Sequence, residues 1–425
     1  MFNYAVLGTV LVVTGLSFLP EKPVATPESN YKTYCASCHG EQVEMFVDRK
    51  WKFGNTKNEL VASIAKGHPD LGMPAWEASL KPDEISALAD YVAVALEKGA
   101  KFRVDAAPKS PTFASSAGLT VRLDTVARDL GSPWGLAFLP DGGMLVTERS
   151  GKISRVAKNG ARTPVSGGPT VLAEGQGGLL DVEVHPQFAQ NGLVYFSYSA
   201  VKETPEGKLS TTAVMRAKLD GDVLSDQKIL FEAQPWAKTR HHYGSRLVFD
   251  KAGLLYFSVG DRGSEKTNPQ SLDSDAGKVH RIKDDGGIPA DNPFAKSAHP
   301  TIYSYGHRNP QGMALNAQGE LWENEHGPRG GDEVNIVQKG RNYGWPTISY
   351  GINYDGKPIT NLTKKEGMEQ PVHYWIPSIG PSGMAFVPSS GMYAAWGGNA
   401  LVGSLRFKYL NRCEVRDGKI VKEEL

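Results

Sequence analysis

From Pro133 onward apolar and polar positions alternate with period two, in short runs closed by Gly, Pro and Asp. Pro133-Trp134-Gly135-Leu136-Ala137-Phe138 passes through Pro140-Asp141-Gly142-Gly143 into Met144-Leu145-Val146-Thr147-Glu148. The same strand, turn and strand return at 180–198, 246–260, 313–323 and 384–402. Such alternation suits antiparallel strands, and the turn residues supply the reversals between them. A small sheet repeating every ~45 to 70 residues predicts propeller blades around a central channel, with a long β-sandwich as the other arrangement. Five copies of the strand pair are visible. A propeller loses its open edges only when the ring closes, so either five blades close it or a sixth is incomplete.

The first quarter of the chain follows another period. Pro82-Asp83-Glu84 opens a helix with acids in its first turn, and Ile85, Leu88, Ala89, Val92 and Leu96 recur at helical spacing. Tyr4 to Pro20 is apolar and uncharged, which predicts a secretory signal or a short membrane anchor within residues 1–24. No Lys or Arg precedes that run, and no clean small-x-small cleavage site lies before Ala25. Residues 101–117 turn to Ala, Pro, Ser and Lys and read as a linker. The expected organisation is a small all-α domain at 28–100 and an all-β propeller at 118–425. With 40% hydrophobic residues, 425 positions can bury two cores. Lys and Arg number 47 against 46 Asp and Glu, so no field recruits nucleic acid or an anionic membrane, and a small neutral substrate fits better.

Cys35-Ala36-Ser37-Cys38-His39 supplies what covalent haem attachment needs: two thiols for thioethers to the vinyl groups and an imidazole, His39, as proximal iron ligand. A disulfide or half a zinc site are the other readings. With 3 cysteines in all, Cys413 being the third, a four-cysteine zinc site cannot form. Gly72-Met73-Pro74-Ala75-Trp76 offers the thioether of Met73 as second axial ligand, which raises the haem potential and suits an electron acceptor. Met45 and His68 compete for that place. Met45 follows His39 closely and belongs to the proximal side, and His68 precedes a proline in a turn. From about Glu28 to Lys98 the chain resembles a small class I cytochrome c. Haem c is attached outside the cytoplasm in bacteria, which agrees with export to the periplasm.

A second resemblance rests on five motifs in order: Arg240-His241-His242-Tyr243-Gly244-Ser245-Arg246-Leu247; Ser258-Val259-Gly260-Asp261; Gly306-His307-Arg308-Asn309-Pro310-Gln311-Gly312; Glu325-His326-Gly327-Pro328; and Asn342-Tyr343-Gly344-Trp345-Pro346. Together they resemble the soluble glucose/sorbosone dehydrogenases that depend on pyrroloquinoline quinone (PQQ), above all the aldose sugar dehydrogenase branch. The resemblance implies a six-bladed propeller, with the quinone at the channel mouth and Ca2+ beneath it. It gives His242 the role of base at the sugar's anomeric hydroxyl, Asp261 that of orienting carboxylate, and Arg308 and Asn309 those of quinone contacts. Gln176 matches a contact on the substrate side. Gly327 and Pro328 match the carbonyls that hold calcium, with Asp332 and Glu333 after that turn. His326 stands at a glutamine-like position and Arg406 in the place of a lysine, both among the cofactor contacts.

Each motif also reads as a good turn or a solvated loop. His241 leaves the base open by one position, the alignment around Arg246-Leu247 favouring His242, and His185-Pro186 reads as a turn. Trp375-Ile376-Pro377-Ser378 lacks the aromatic placement of glucose-specific members, so the sugar stays open. The resemblance also implies a last blade with two arginines on the cofactor's carboxylates, and no such segment precedes Leu425.

The implied activity is that of a quinohaemoprotein: an aldose is oxidised to its lactone, and electrons pass to haem c and on to a soluble or membrane respiratory acceptor. A non-catalytic propeller beside an electron-transfer cytochrome, or a dehydrogenase for a sorbosone-like aldehyde or sugar alcohol, are the alternatives.

Overall fold

The computed structural model describes residues 25–39, 43–48, 51–69, 73–100, 110–264, 266–354 and 357–425. The apolar run Tyr4 to Pro20 lies outside them, as do Gly72, residues 101–109 of the expected linker, and the side chains of Cys38 and Met45. Among the described residues no helix is long and apolar enough to cross a membrane.

The N-terminal domain is helical. Pro27–Asn30, Tyr31–Cys35 and Ala36–His39 run on from one another, with a π turn ending at Cys35. A second helix, Lys57–Lys66, starts on a capping box between Thr56 and Glu59. The third, Pro82–Ala100, begins with Pro82 and the acids Asp83 and Glu84, which favour the positive end of the helix dipole. Ile85, Leu88, Ala89 and Val92 are buried as the spacing predicts, against Tyr31, Leu60 and Ile64, while Leu96 packs half-buried at the edge. Leu88 is fully buried, so Leu88→Ala would cost ~2–5 kcal/mol through the lost contacts and the cavity left behind.

The β-domain consists of five four-stranded antiparallel sheets at 133–165, 179–232, 247–305, 310–375 and 381–424, blades 1 to 5, each a meander in sequence order. Each repeat read from the sequence is the first strand pair of a blade. First strands of successive blades pack on one another, which sets them innermost. Alternation then gives each blade two apolar faces, and a cluster fills each of the four seams between successive blades. Ala137 and Leu145 meet Val182 and Phe196. Tyr195 and Val214 meet Leu247 and Phe257. Tyr256 and Val279 meet Met313 and Leu321, and Trp322 and Val334 meet Met384 and Val402. Gly135 is needed at the first seam, where a Cβ would lie 2.7 Å from Asp181 Oδ1. Cys413 is a buried member of the last cluster.

Four blades share a register shift near the start of the first strand, at Pro133/Leu136, Leu179/Val182, Pro310/Gly312 and Pro381/Met384. Such bulges re-aim the chain at the rim where the site loops enter.

The expected linker through residue 117 is shorter in the structure. Thr112–Ala114 pairs with Thr120–Arg122, and the connecting turn clasps blade 5. Ser115 Oγ donates to Glu424 Oε2 at 3.0 Å, and Trp396 Nε1 donates to Ser115 Oγ at 3.0 Å. Ser115 and Ser116 looked like spacer in the sequence, and their partner Glu424 lies at the other end of the domain. Among the described residues the propeller has five four-stranded sheets and this two-stranded hairpin, where the resemblance implied six full blades.

Candidate active site

The rim formed by the starts of first strands and the ends of second strands gathers the loops that carry the sequence motifs. His242 follows blade 2 and sits at φ +55°, a left-handed conformation unusual for a residue with a Cβ, as does Arg262 at +59°. Two sets of bonds hold this geometry. The His242 N–H donates to Gln176 Oε1 at 2.8 Å. The buried Arg262 guanidinium donates to His241 O, Thr239 O and Ser210 Oγ and lies 3.6 Å from the Tyr243 ring centroid.

His242 Nδ1 lies 2.7 Å from Asp261 Oδ1. Asp261 also accepts from the Gly263 N–H at 2.8 Å and from Trp345 Nε1 at 2.9 Å, and is 1% exposed. A carboxylate at Nδ1 fixes the tautomer with the proton there and leaves Nε2 as the basic nitrogen. Burial pushes the His242 pKa below its ordinary value, assisted by the charge of Arg308, while the bond to Asp261 opposes the shift. Burial alone would raise the Asp261 pKa, but the bond with His242 and the Arg308 charge bring it below the usual carboxylate range. The couple is therefore neutral imidazole beside carboxylate at neutral pH. His241, one position earlier, is exposed and meets the His242 ring edge-on at 4.7 Å. The Asp261 carboxylate thus pairs with His242.

Arg308 and Asn309 adjoin this couple. The Asp261 N–H donates to Arg308 O at 2.8 Å, and the Gly244 N–H donates to Asn309 Oδ1 at 3.1 Å. Arg308 donates from one terminal nitrogen to His326 O at 3.0 Å and Gly327 O at 2.9 Å, and its ring-facing side lies 5.3 Å from the Trp345 centroid. Its Nε is buried without a hydrogen-bond partner among the described residues. Glu325 Oε2 accepts both backbone N–H groups, of Arg308 at 2.5 Å and Asn309 at 3.1 Å. Behind them His307 is fully buried beside Glu323 and Glu325; burial alone would lower its pKa, but the two acids outweigh that and raise it to about 9.

Asp332 staples the following turn: Oδ1 accepts from Gly327 N–H at 2.9 Å and Ser378 Oγ at 2.9 Å, and Oδ2 from Gly380 N–H at 2.8 Å. His326 spends Nε2 on Pro381 O at 2.8 Å, joining blade 4 to blade 5. Arg406 is exposed and donates to Ser378 O at 2.9 Å, on the far side of that staple. The structure therefore brings Gln176, His242, Asp261, Arg308, Asn309 and Gly327 into one contiguous group and sets His326 and Arg406 at its blade 5 margin. His185 lies apart, bonded to Asn191 in a turn. Trp345, Glu325 and Arg262 had no role in the sequence reading. Trp345 and Glu325 stood inside quoted motifs, and that was their only signal.

In the N-terminal domain His39 packs 4.9 Å from the Phe46 ring. His68 is engaged: its ring stacks on Phe53 at 3.7 Å and Nε2 lies 3.1 Å from Ser63 Oγ. Its backbone pairs with that of Met73 by two hydrogen bonds of 2.8 and 3.1 Å, and the Trp76 N–H anchors the same loop to Ala65 O at 3.0 Å. Cys35 is half-buried.

Comparison with known proteins agrees with both halves. Residues 22–92 match the family described as cytochrome c oxidase, cbb3-type, subunit III. Aldose sugar dehydrogenase YliI of Escherichia coli K12 is 44% identical over 317 residues, 72% of this chain and 84% of that protein. The apo-form crystal structure of the soluble aldose sugar dehydrogenase from Escherichia coli aligns with TM-score 0.66 at 43% identity, covering 69% of this chain and 86% of that one. The PQQ-bound aldose sugar dehydrogenase of Streptomyces coelicolor aligns with TM-score 0.58 at 31% identity, over 71% and 83%. Residues 130–425 match the family described as Glucose / Sorbosone dehydrogenase, so the chain belongs to that family and carries a domain of the cbb3-type cytochrome c kind ahead of its propeller.

Proposed function

We propose that this protein is an exported quinohaemoprotein that oxidises the C1 hydroxyl of an aldose to the lactone and releases the electrons through haem c to a respiratory or soluble acceptor. The observation that carries the reading is the couple of half-buried His242 and buried Asp261 set against Arg308, in a chain whose relatives are named aldose sugar dehydrogenases.

The residues present fit PQQ and calcium. Arg308 Nε is a buried donor awaiting an acceptor, which a quinone oxygen would supply. The Gly327 and Pro328 carbonyls would hold calcium, a cation that takes oxygen ligands. When bound, PQQ supplies the orthoquinone carbonyl that takes the C1 hydride, and calcium polarises it.

The chain's own part is proton and charge management. His242 Nε2 takes the proton from the sugar O1 as the C1–H bond breaks, and the carbonyl of the lactone forms from the remaining electron pair. Asp261 stabilises the resulting imidazolium, and Arg308 offsets negative charge growing opposite it. Gln176, exposed at the mouth, orients the sugar. Cys35, Cys38, His39 and Met73 would hold haem c, a one-electron outlet for a two-electron oxidation, tethered at high effective concentration.

The test is reconstitution of the full chain with PQQ and Ca2+ followed by a panel of aldoses. Sugar-dependent reduction of both an added dye and the haem is expected. Dye reduction without haem reduction removes the relay, and silence with every sugar removes the dehydrogenase.

A further inference from the structure

We propose that Trp345 is the positioning residue that locks the base couple: its indole N–H holds Asp261 as a carboxylate aimed at His242 Nδ1 while its ring supports the Arg308 guanidinium. This inference rests on the dehydrogenase reading above and names how its base is set.

Trp345 is built to be immobile. Gly344 precedes it at φ +85°, and Asn342 Oδ1 accepts from the Gly344 N–H at 2.9 Å. The Trp345 N–H donates to Gly306 O at 2.9 Å, and its carbonyl accepts from Gln270 Nε2 at 2.8 Å. Gln270 is itself tied to Asn342 Nδ2 at 2.8 Å. With the backbone fixed at both ends and the side chain 7% exposed, the indole has one direction to point. It bridges 84 residues of sequence to reach Asp261 Oδ2 at 2.9 Å.

The chemistry follows from which atoms can give a hydrogen. Indole N–H is a donor only, and so is a backbone N–H. Asp261 therefore meets Trp345 at Oδ2 and Gly263 at Oδ1, together with the His242 Nδ1–H. A proton placed on Oδ2 would face the indole hydrogen, so the carboxylic acid form is excluded from that oxygen. The His242 Nδ1–H meets Oδ1, which also accepts from the Gly263 N–H, and the indole donor on Oδ2 lowers the basicity of the whole carboxylate, so the proton stays on Nδ1 and the positive charge on the imidazole. Without the indole, rotation about the Asp261 Cβ–Cγ bond would let the carboxylate wander from the orientation that fixes the Nδ1–H tautomer. The charged or titratable groups that face His242 are Asp261, Arg308 and His241. Trp345 touches two of these three, which places it between the proton and quinone sides of the site.

Trp345→Phe keeps a ring beside Arg308 and removes the donor. Losing a donor makes Asp261 more basic, so the imidazolium of His242 is better stabilised. The His242 pKa, followed by the imidazole C2–H resonance in cofactor-free protein, is expected to rise by about half a unit or more, since one neutral hydrogen bond is worth ~1 kcal/mol. In the reconstituted enzyme the acid limb of kcat/KM should move up by the same amount and kcat fall about tenfold. Asp261→Asn supplies the second arm: in that background the indole loss should leave the His242 pKa unchanged, because the two act through one bond. A cooperative melt and a native-like circular dichroism spectrum for both variants establish that they fold. An unchanged His242 titration in Trp345→Phe, or equal shifts in both backgrounds, overturns the proposal. A wild-type protein that oxidises no aldose would instead remove the functional reading, while the cofactor-free titration still decides the role of Trp345.

Discussion

Asp261→Asn is the sharpest perturbation of the base couple, because three donors converge on a group that would keep only one oxygen. The carboxylate accepts from His242 Nδ1 at 2.7 Å, Gly263 N–H at 2.8 Å and Trp345 Nε1 at 2.9 Å. If the amide oxygen faces His242, the amide NH2 faces the indole N–H. If it faces Trp345, the NH2 meets Nδ1 and Gly263, and the imidazole must carry its proton on Nε2, where it can no longer act as base. Either arrangement leaves buried donors unsatisfied, at ~1–3 kcal/mol of folding stability. The tautomer change should lower kcat by ~10³ to 10⁴, as the equivalent swap does in a Ser-His-Asp triad, or ~4–5 kcal/mol of barrier. PQQ binding should survive, because Asp261 meets the Arg308 segment through its backbone N–H, which the substitution keeps. The residual activity should also move on the pH axis. Burial sets the His242 pKa below its ordinary value, and Asp261 opposes that shift, so removing the anion carries the acid limb lower still. Stopped-flow reduction under saturating aldose, with PQQ titration in parallel, reads each part. Activity within tenfold of wild type, or loss of PQQ binding itself, would refute the assignment.

Three further outcomes can be checked. Met73→Leu should keep covalent haem, lower its reduction potential and let carbon monoxide bind the reduced iron; an unchanged potential and no carbon monoxide complex would remove Met73 as ligand. The His307 pKa is raised to about 9 by its two glutamates, so its stabilisation is complete below the unfolded value of 6.5 and fades as pH rises through about 9. Wild type should melt above His307→Gln by a margin worth ~1–3 kcal/mol at pH 6 that shrinks by pH 10, and a margin constant with pH would contradict the pairing. Burial opposes ionisation of Glu424, but its bonds to Ser116 and Arg412 prevail and hold its pKa at about 2, so its contribution is present above pH 4.5 and lost as pH falls through 2. Glu424→Gln should cost ~1–2 kcal/mol at pH 7 and speed amide exchange at Ser115 and Ser116; unchanged exchange would mean the hairpin is held otherwise.

What the sequence disclosed and what it withheld divide by the range of the forces involved. Period-two runs and their Gly, Pro and Asp turns are local, so every first strand pair was visible. Outer strands such as Arg162–Val165, with three exposed positions, and the three-residue His373–Trp375 carry no such alternation and took their place only from neighbouring strands. Ser115 and Ser116 looked like spacer because their carboxylate partner, Glu424, is more than 300 residues distant. The site shows the same division more severely. His242 and Arg262 hold left-handed backbones that their own side chains disfavour, and only bonds from Gln176, Ser210 and Thr239 make those backbones affordable. Resemblance could point to His242 and Asp261 as individual residues, whereas no spacing could show that an indole from blade 4 would complete their hydrogen bonding. His326 illustrates the converse. The resemblance sets it at a glutamine-like position among the cofactor contacts, and the structure shows in addition that its Nε2 meets the Pro381 carbonyl across the seam between blades 4 and 5. In a propeller the candidate site lies where loops from different blades meet, so the residues that tune it answer to the packing of the blades rather than to their neighbours in the chain.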